Sequence, residues 1–252
     1  MEDMPFATPR PVGGADDYRT PFPLCNPPWG IASLIVVFAL FLVLSFTLGI
    51  IIAILYQNAG LKITQSALLL ASLASEGLLA VLVLYVVRIR YHSSLRILGL
   101  SGTSWRDLLY YGVCGGFVIS LLMIVAMSAF FSLFHLQPQP QPMVDLIVSV
   151  AHSRWLFLGS LLLAGIFAPI CEEIYFRGFV YPVLRQRFGM PPAVLIASCL
   201  FAAIHFDLVR FLFLALLGAF LAMVCEKTRS LLPAIAAHSA YNLASIALLF
   251  LH

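Results

Sequence analysis

The chain has 252 residues, 62% of them hydrophobic and only 10% charged, with a mean hydropathy of +1.02. Such a composition excludes an ordinary soluble domain and describes a polytopic membrane protein, so membrane lipids are its expected surroundings. The net charge of +3 is too small and too scattered to attract nucleic acid.

Residues 1–29 read as a polar N-terminal tail scattered with prolines. No basic stretch precedes a short apolar core there, so the tail does not read as a cleaved signal peptide. From Gly30 onward, apolar runs of the roughly 20 residues needed to cross a bilayer recur with short polar breaks. Residues 30–252 are therefore read as one membrane domain. Seven spans are predicted, at about 30–56, 66–88, 107–135, 155–187, 191–206, 210–226 and 232–251. The third is followed by "QPQPQP" (137–142), a stiff extended connector, and by a short amphipathic stretch from Met143 to His152. The fourth is too long for one straight crossing and is expected to kink at Pro169. The fifth is short enough to dip into the bilayer rather than cross it. No tandem repeat appears. Cys25, Cys114, Cys171, Cys199 and Cys225 are odd in number and four lie within spans, which suggests neither a disulfide framework nor a CxxC metal site.

Arg10, Arg19, Arg88, Arg90, Arg96, Arg106, Arg185, Arg187, Lys227 and Arg229 fall on one side of this topology, against Lys62, Arg154 and Arg210 on the other. The positive-inside rule then puts the N-terminus in the cytoplasm. Trp29, Trp105 and Trp155 all stand at span ends and are expected to form an interfacial belt.

The conspicuous polar residues within spans are Glu76, Glu172, Glu173, Arg177, His205, His238 and Asn242. A charged side chain at the bilayer centre costs about 2.5–3.5 kcal/mol on insertion scales, so these groups are paired, solvated or functional. Glu173 and Arg177 are four apart on one helical face, with the acid N-terminal, as an ion pair prefers. Glu172 is rotated about 100° away and is free to point elsewhere. Phe201 and His205 share a face by the same spacing, and so do His238 and Asn242. At 1.5 Å per residue, Glu172 lies about 20 Å from Arg185 and His205 about 21 Å from Pro191. His238 and Asn242 lie about 10 and 16 Å from Leu231, so three helices can bring these groups to overlapping depths. Glu76 reads as a packing acid hydrogen-bonded to a neighbouring helix, and His135 and His152 as interfacial.

The three patterns Glu172-Glu173-Ile-Tyr-Phe-Arg177, Phe201-Ala-Ala-Ile-His205 and His238-Ser-Ala-Tyr-Asn242 resemble, in order, the EExxxR, FxxxH and HxxxN motifs of a known family. It is the CAAX protease and bacteriocin-processing (CPBP, ABI) family of intramembrane proteases, which includes the Ras-converting CAAX endopeptidase. The resemblance covers about residues 155 to 252, marking that part as the catalytic core and residues 30–136 as accessory helices.

The resemblance implies an all-α, polytopic transmembrane helical bundle of about seven or eight helices with a conical intramembrane catalytic cavity. It implies an endopeptidase that hydrolyses a peptide bond of a membrane-associated or lipidated protein or peptide, with no cofactor. Glu172 would be the general base, His205 would help hold the attacking water, and His238 and Asn242 would form the oxyanion hole. Glu173 and Arg177 would support the helix bearing Glu172, and Phe201 would be a wall of the cavity. A compact chain with short loops points to a bacterial cell membrane.

Other readings stay open at the level of sequence. Glu172, His205 and His238 could bind a divalent metal and make the same protease metal-dependent, although no HExxH is present. A non-catalytic bacteriocin-immunity or scaffold protein would keep the fold without turnover. A transporter with an acid proton relay fits less well, because the polar groups cluster in the C-terminal half and no repeat is seen.

Overall fold

The computed structural model describes residues 26–61, 63–100, 102–136 and 141–250. Most of the N-terminal tail, Cys25, Lys62 and most of the QPQPQP connector lie outside the described residues. Among those residues there is no strand, and eight helices follow one another as a polytopic bundle. They are α1 (Ile31–Asn58), α2 (Gln65–Arg90), α3 (Trp105–Leu133), α4 (Pro142–Ser149), α5 (Arg154–Phe188), α6 (Met190–Ala203), α7 (Phe211–Thr228) and α8 (Leu232–Leu249). Five of them, α1, α2, α3, α5 and α7, are long and apolar enough to cross a membrane. The chain is an integral membrane protein. Helix α6, with 14 residues, is the short fifth element expected from sequence. Helix α4 realises the amphipathic stretch after the connector and buries Leu146 and Ile147.

Side-chain chemistry sorts these helices into layers. Helix α1 is almost wholly apolar, with a mean hydropathy of 3.0, yet only 6% of its most apolar window is buried within the bundle, against 39% for α5 and 44% for α7. The first helix therefore turns its aliphatic faces toward lipid, whereas α5 and α7 form the centre. The core joins Val37 of α1, Leu79 and Val83 of α2, and Phe176 and Phe179 of α5 to Phe201 of α6, Leu217 and Leu221 of α7 and Ala237 of α8.

Trp105 and Trp155 are exposed at helix ends, as an interfacial belt requires, but Trp29 is not. It is buried, stacks on Phe179 at 5.1 Å and donates its indole N–H to the Phe179 carbonyl oxygen at 3.0 Å. Position at a span end predicted lipid headgroups for Trp29; stacking on Phe179 and a hydrogen bond to its carbonyl hold it in the core instead.

Glycine sets the closest helix contact. A Cβ on Gly116 of α3 would lie 2.2 Å from the Ala237 carbonyl oxygen and 2.7 Å from its Cα, both on the backbone of α8. Small residues let helix backbones meet in this way in membranes, where dispersion replaces the hydrophobic effect as the driving force. Gly116→Val is expected to force α3 and α8 apart at a cost of about 1–3 kcal/mol or more. A lower thermal midpoint in detergent micelles checks this.

Helix α5 runs without a break from Arg154 to Phe188, but it is not uniformly α-helical. It widens to π turns over Leu163–Phe167 and Ile174–Val180. The wide turn at Leu163–Phe167 stands just before Pro169, where the kink is expected. In that turn the amide of Ala168 donates to the Leu163 carbonyl. The next donor in the same pattern belongs to Pro169, which has no N–H, so the Ala164 carbonyl is left without a partner in its own helix.

Candidate active site

Helix α5 carries both glutamates into the centre of the bundle. Glu173 and Arg177 are 0% and 1% exposed and form an ion pair of 2.6 Å between Nη1 and Oε1. The sequence spacing placed them on one face, and they meet there. The second arm of the guanidinium donates to the Gly218 carbonyl oxygen of α7 at 2.9 Å, and its plane lies 4.6 Å over the Phe201 ring. Gly218 can offer that carbonyl because α7 presses close to α6: a Cβ at Gly218 would stand 3.0 Å from Ser198 Cα. One arginine so ties α5 to α6 and α7.

Glu173 has a second partner that sequence spacing could not reveal. Its Oε1 also accepts from Nδ1 of His238 on α8 at 2.9 Å. With Nδ1 facing the Glu173 carboxylate, Nε2 of the ring is turned toward Oε2 of Glu172, 3.9 Å away. That Glu172 oxygen is buried and has no hydrogen-bond partner among the described residues. Two adjacent glutamates on one helix thereby do different things, one orienting the imidazole and the other facing its free nitrogen.

His205 stands elsewhere than the sequence reading put it. Helix α6 ends at Ala203, so His205 lies in the turn that follows rather than on the helical face of Phe201. Its Nδ1 hydrogen donates to the Phe201 carbonyl oxygen at 2.8 Å, which satisfies one of the open carbonyls of the helix end. The Phe201 ring touches both histidines, 4.9 Å from His205 and 5.7 Å from His238. Phe201 is fully buried and also meets Phe176 edge-on, so it is a spacer in the core rather than a cavity wall.

The turn after His205 exposes Phe206 and Leu208 and is closed by an ion pair between Asp207 and Arg210. Partial burial works to raise the Asp207 pKa, but hydrogen bonds from the Arg210 side chain and backbone outweigh it and leave the carboxyl below its ordinary value. A depressed folded pKa means that this small contribution is present at neutral pH and lost only as the pH falls through the acid range.

Asn242, one turn beyond His238, donates Nδ2–H to the Ala164 carbonyl oxygen at 2.8 Å. This is the carbonyl that Pro169 leaves without a donor, so the amide repairs the wide turn of α5 while keeping its second N–H. Asn242→Ala would strand the Ala164 carbonyl, at about 1–3 kcal/mol. A fall in thermal midpoint that Asn242→Gln does not fully reproduce would report that hydrogen bond.

Glu76 was read as an acid hydrogen-bonded to a neighbouring helix. It makes no such bond among the described residues.

Among the described residues no three His, Cys, Asp or Glu side chains stand close enough to hold a metal ion. Glu172, His205 and His238, the set that the metal-dependent reading requires, are not such a group among the described residues. An apolar cavity of about 250 Å³ lies next to the site, lined by Phe38, Tyr175, Phe176, Leu200, Ile204 and Phe206 among others. Glu172, His205, His238 and Asn242 do not line it.

Residues 153–244 match the family model described as type II CAAX prenyl endopeptidase Rce1-like. No curated protein and no solved structure matches the chain. The matched stretch begins just ahead of α5 and ends within α8, enclosing every residue of the three motifs. The resemblance carried by Glu172 to Asn242 is therefore borne out: over residues 153–244 the chain is similar to the CAAX protease family, which supports a CAAX-type intramembrane endopeptidase in general.

Proposed function

We propose that the chain is a glutamate-dependent intramembrane endopeptidase. The observation that carries this reading is the pairing of a buried, unpartnered Glu172 Oε2 with His238 Nε2 at 3.9 Å, a separation that one water spans with a hydrogen bond to each. Glu172 takes a proton from that water as its oxygen attacks the peptide carbonyl. His238 with both ring nitrogens protonated donates from Nε2 to the developing oxyanion, and Asn242 donates its second amide hydrogen. When the tetrahedral intermediate collapses, the C–N bond breaks and Glu172 passes the proton to the departing nitrogen. His205, with Nδ1 bound to Phe201, has its Nε2 lone pair available to hold the water.

The family description points to a lipidated C-terminus as the first substrate class to test. The excess of arginine at the Arg88, Arg106, Arg185 and Arg229 ends favours an N-terminus on the cytoplasmic side, and the compact length with short loops favours a bacterial cell membrane.

The test is a comparison of membrane-protein and peptide termini between cells expressing the wild type and cells expressing Glu172→Gln at matched abundance. Termini that form only with the wild type are expected, and they also identify the substrate class. Identical termini, with both proteins folded and inserted, would overturn the protease reading in favour of a binding or immunity role. Retention of cleavage in the presence of a chelator is expected; loss that one divalent metal restores would favour the metal-dependent form.

A further inference from the structure

The apolar cavity of about 250 Å³ is not used by the proposed chemistry, and its place in the bundle says what can fill it. Tyr175, Phe176 and Val180 of α5, 5%, 1% and 2% exposed, make its floor. Phe38 of α1 stacks on Tyr175 at 6.2 Å and makes one wall, and Leu200 and Ala203 of α6 make the other. Phe206, in the turn that follows α6, stands at the mouth and is 91% exposed. Its φ of 50° lies in the left-handed region that glycine usually fills after a helix, so a large ring stands where glycine would leave the mouth open.

Depth places the cavity in hydrocarbon. Val180 lies about 8 Å along its helix from Arg185, and Leu200 and Ala203 lie about 14 and 18 Å from Pro191. The lining therefore runs from near the arginine-rich end of the bundle to the middle of a hydrocarbon layer about 30 Å thick, the reach of one leaflet. No charged side chain lines the cavity, and a buried water needs several polar partners, so water does not suit it. Its open side faces lipid, between α1, which packs against α2, and the exposed Leu200 and Phe206. A charge stands below it. Arg187 follows Val180 by seven residues, within about 20° of the same face of α5 and about 10 Å nearer the helix end. It is exposed, its guanidinium lies over the Phe188 ring at 5.7 Å, and among the described residues no carboxylate pairs with it.

We propose that this cavity binds one acyl chain of a bilayer phospholipid, whose phosphate rests on Arg187. An apolar slot one leaflet deep with a cation at its end matches the two parts of that molecule, a hydrocarbon chain and an anionic phosphate. The bound chain lies one ring away from the candidate site. Phe176 of the floor meets Phe201 edge-on at 5.3 Å, and Phe201 touches both His205 and His238. The phospholipid thus fills the wall behind the histidines and is a component of the bundle as well as its solvent.

The test uses the full-length protein in nanodiscs of phosphatidylcholine that carries a photoactivatable diazirine midway along one acyl chain. After illumination the labelled peptides are mapped. Label on residues 175–180 is expected, because that floor is closed to lipids that only surround the bundle, whereas the exposed Val43 and Phe46 of α1 take label in either case. Ala203→Trp fills the cavity from its wall and is expected to abolish the floor label while the α1 label stays unchanged. Leu200→Trp fills it from the same helix and serves if the first variant does not fold. Arg187→Glu repels the phosphate and is expected to lower the floor label severalfold. Label confined to the outward faces would overturn the proposal, and so would floor label that persists in both filled variants. Unchanged floor label in Arg187→Glu would overturn the phosphate contact. The experiment reads binding without any cleavage, so its failure leaves the protease reading standing, and that reading fails separately if Glu172→Gln forms the same termini as wild type.

Discussion

Glu172→Gln is expected to slow peptide cleavage on the order of 100- to 10,000-fold, the contribution of a positioned general base, while leaving the fold intact. Glutamine has the same shape, and Glu172 Oε2 makes no hydrogen bond within the protein that the substitution would break. A neutral amide, however, cannot accept the water's proton. The loss should therefore fall on kcat with KM little changed, and the thermal midpoint should hold or rise as a buried charge is removed. Glu172→Asp withdraws the carboxylate by one methylene and is expected to be slow as well, since small displacements of a reacting group are costly. Purified protein in nanodiscs, assayed on the substrate that the comparison of termini identifies, measures all three quantities. A Glu172→Gln protein with wild-type kcat would remove the base from the mechanism.

Arg177→Ala is expected to have the largest effect on stability, about 3–5 kcal/mol, because it leaves Glu173 as an uncompensated charge in the core. The same change removes the link to the Gly218 carbonyl and the face-on contact with Phe201. Lysine should rescue little, since one ammonium cannot reach two acceptors on different helices in the fixed fork of a guanidinium. Replacing both members of the pair separates structure from function. In Arg177→Met combined with Glu173→Leu no buried charge is orphaned, so much of the thermal midpoint should return. Activity should not, because His238 has lost the acceptor that turns its Nε2 toward Glu172. Recovery of both together would mean that Glu173 serves stability alone.

The membrane character and the order of the helices were legible because hydropathy reports directly on what a bilayer tolerates, but five rather than seven of the predicted spans are long and apolar enough to cross among the described residues. The Glu173–Arg177 pair was legible because i,i+4 spacing is local geometry. What failed to show in the sequence is what depends on contacts between helices. Nothing in the spacing says that Glu173 also holds His238, 65 positions away. Depth counting brought His238 and Glu172 within range of each other but could not say which ring nitrogen would face which glutamate. His205 was misplaced by a different cause: an apolar run continues past the last helical hydrogen bond, so hydropathy overran the end of α6 at Ala203. Trp29 was misread because exposure at a helix end is a prior that one contact between elements, here the bond to the Phe179 carbonyl, is enough to overturn.

The wide turn at Leu163–Phe167 has a consequence for phase. A π turn is in effect one extra residue in a helix that otherwise advances by 100° per position, so everything after it is turned by that angle relative to the outer half. The azimuth of Glu172 is thus set before the motif begins. Deleting a single residue from Leu163–Phe167 as the turn closes to a regular helix would leave both glutamates facing His238, whereas closing the turn at full length would swing them by about 100° away.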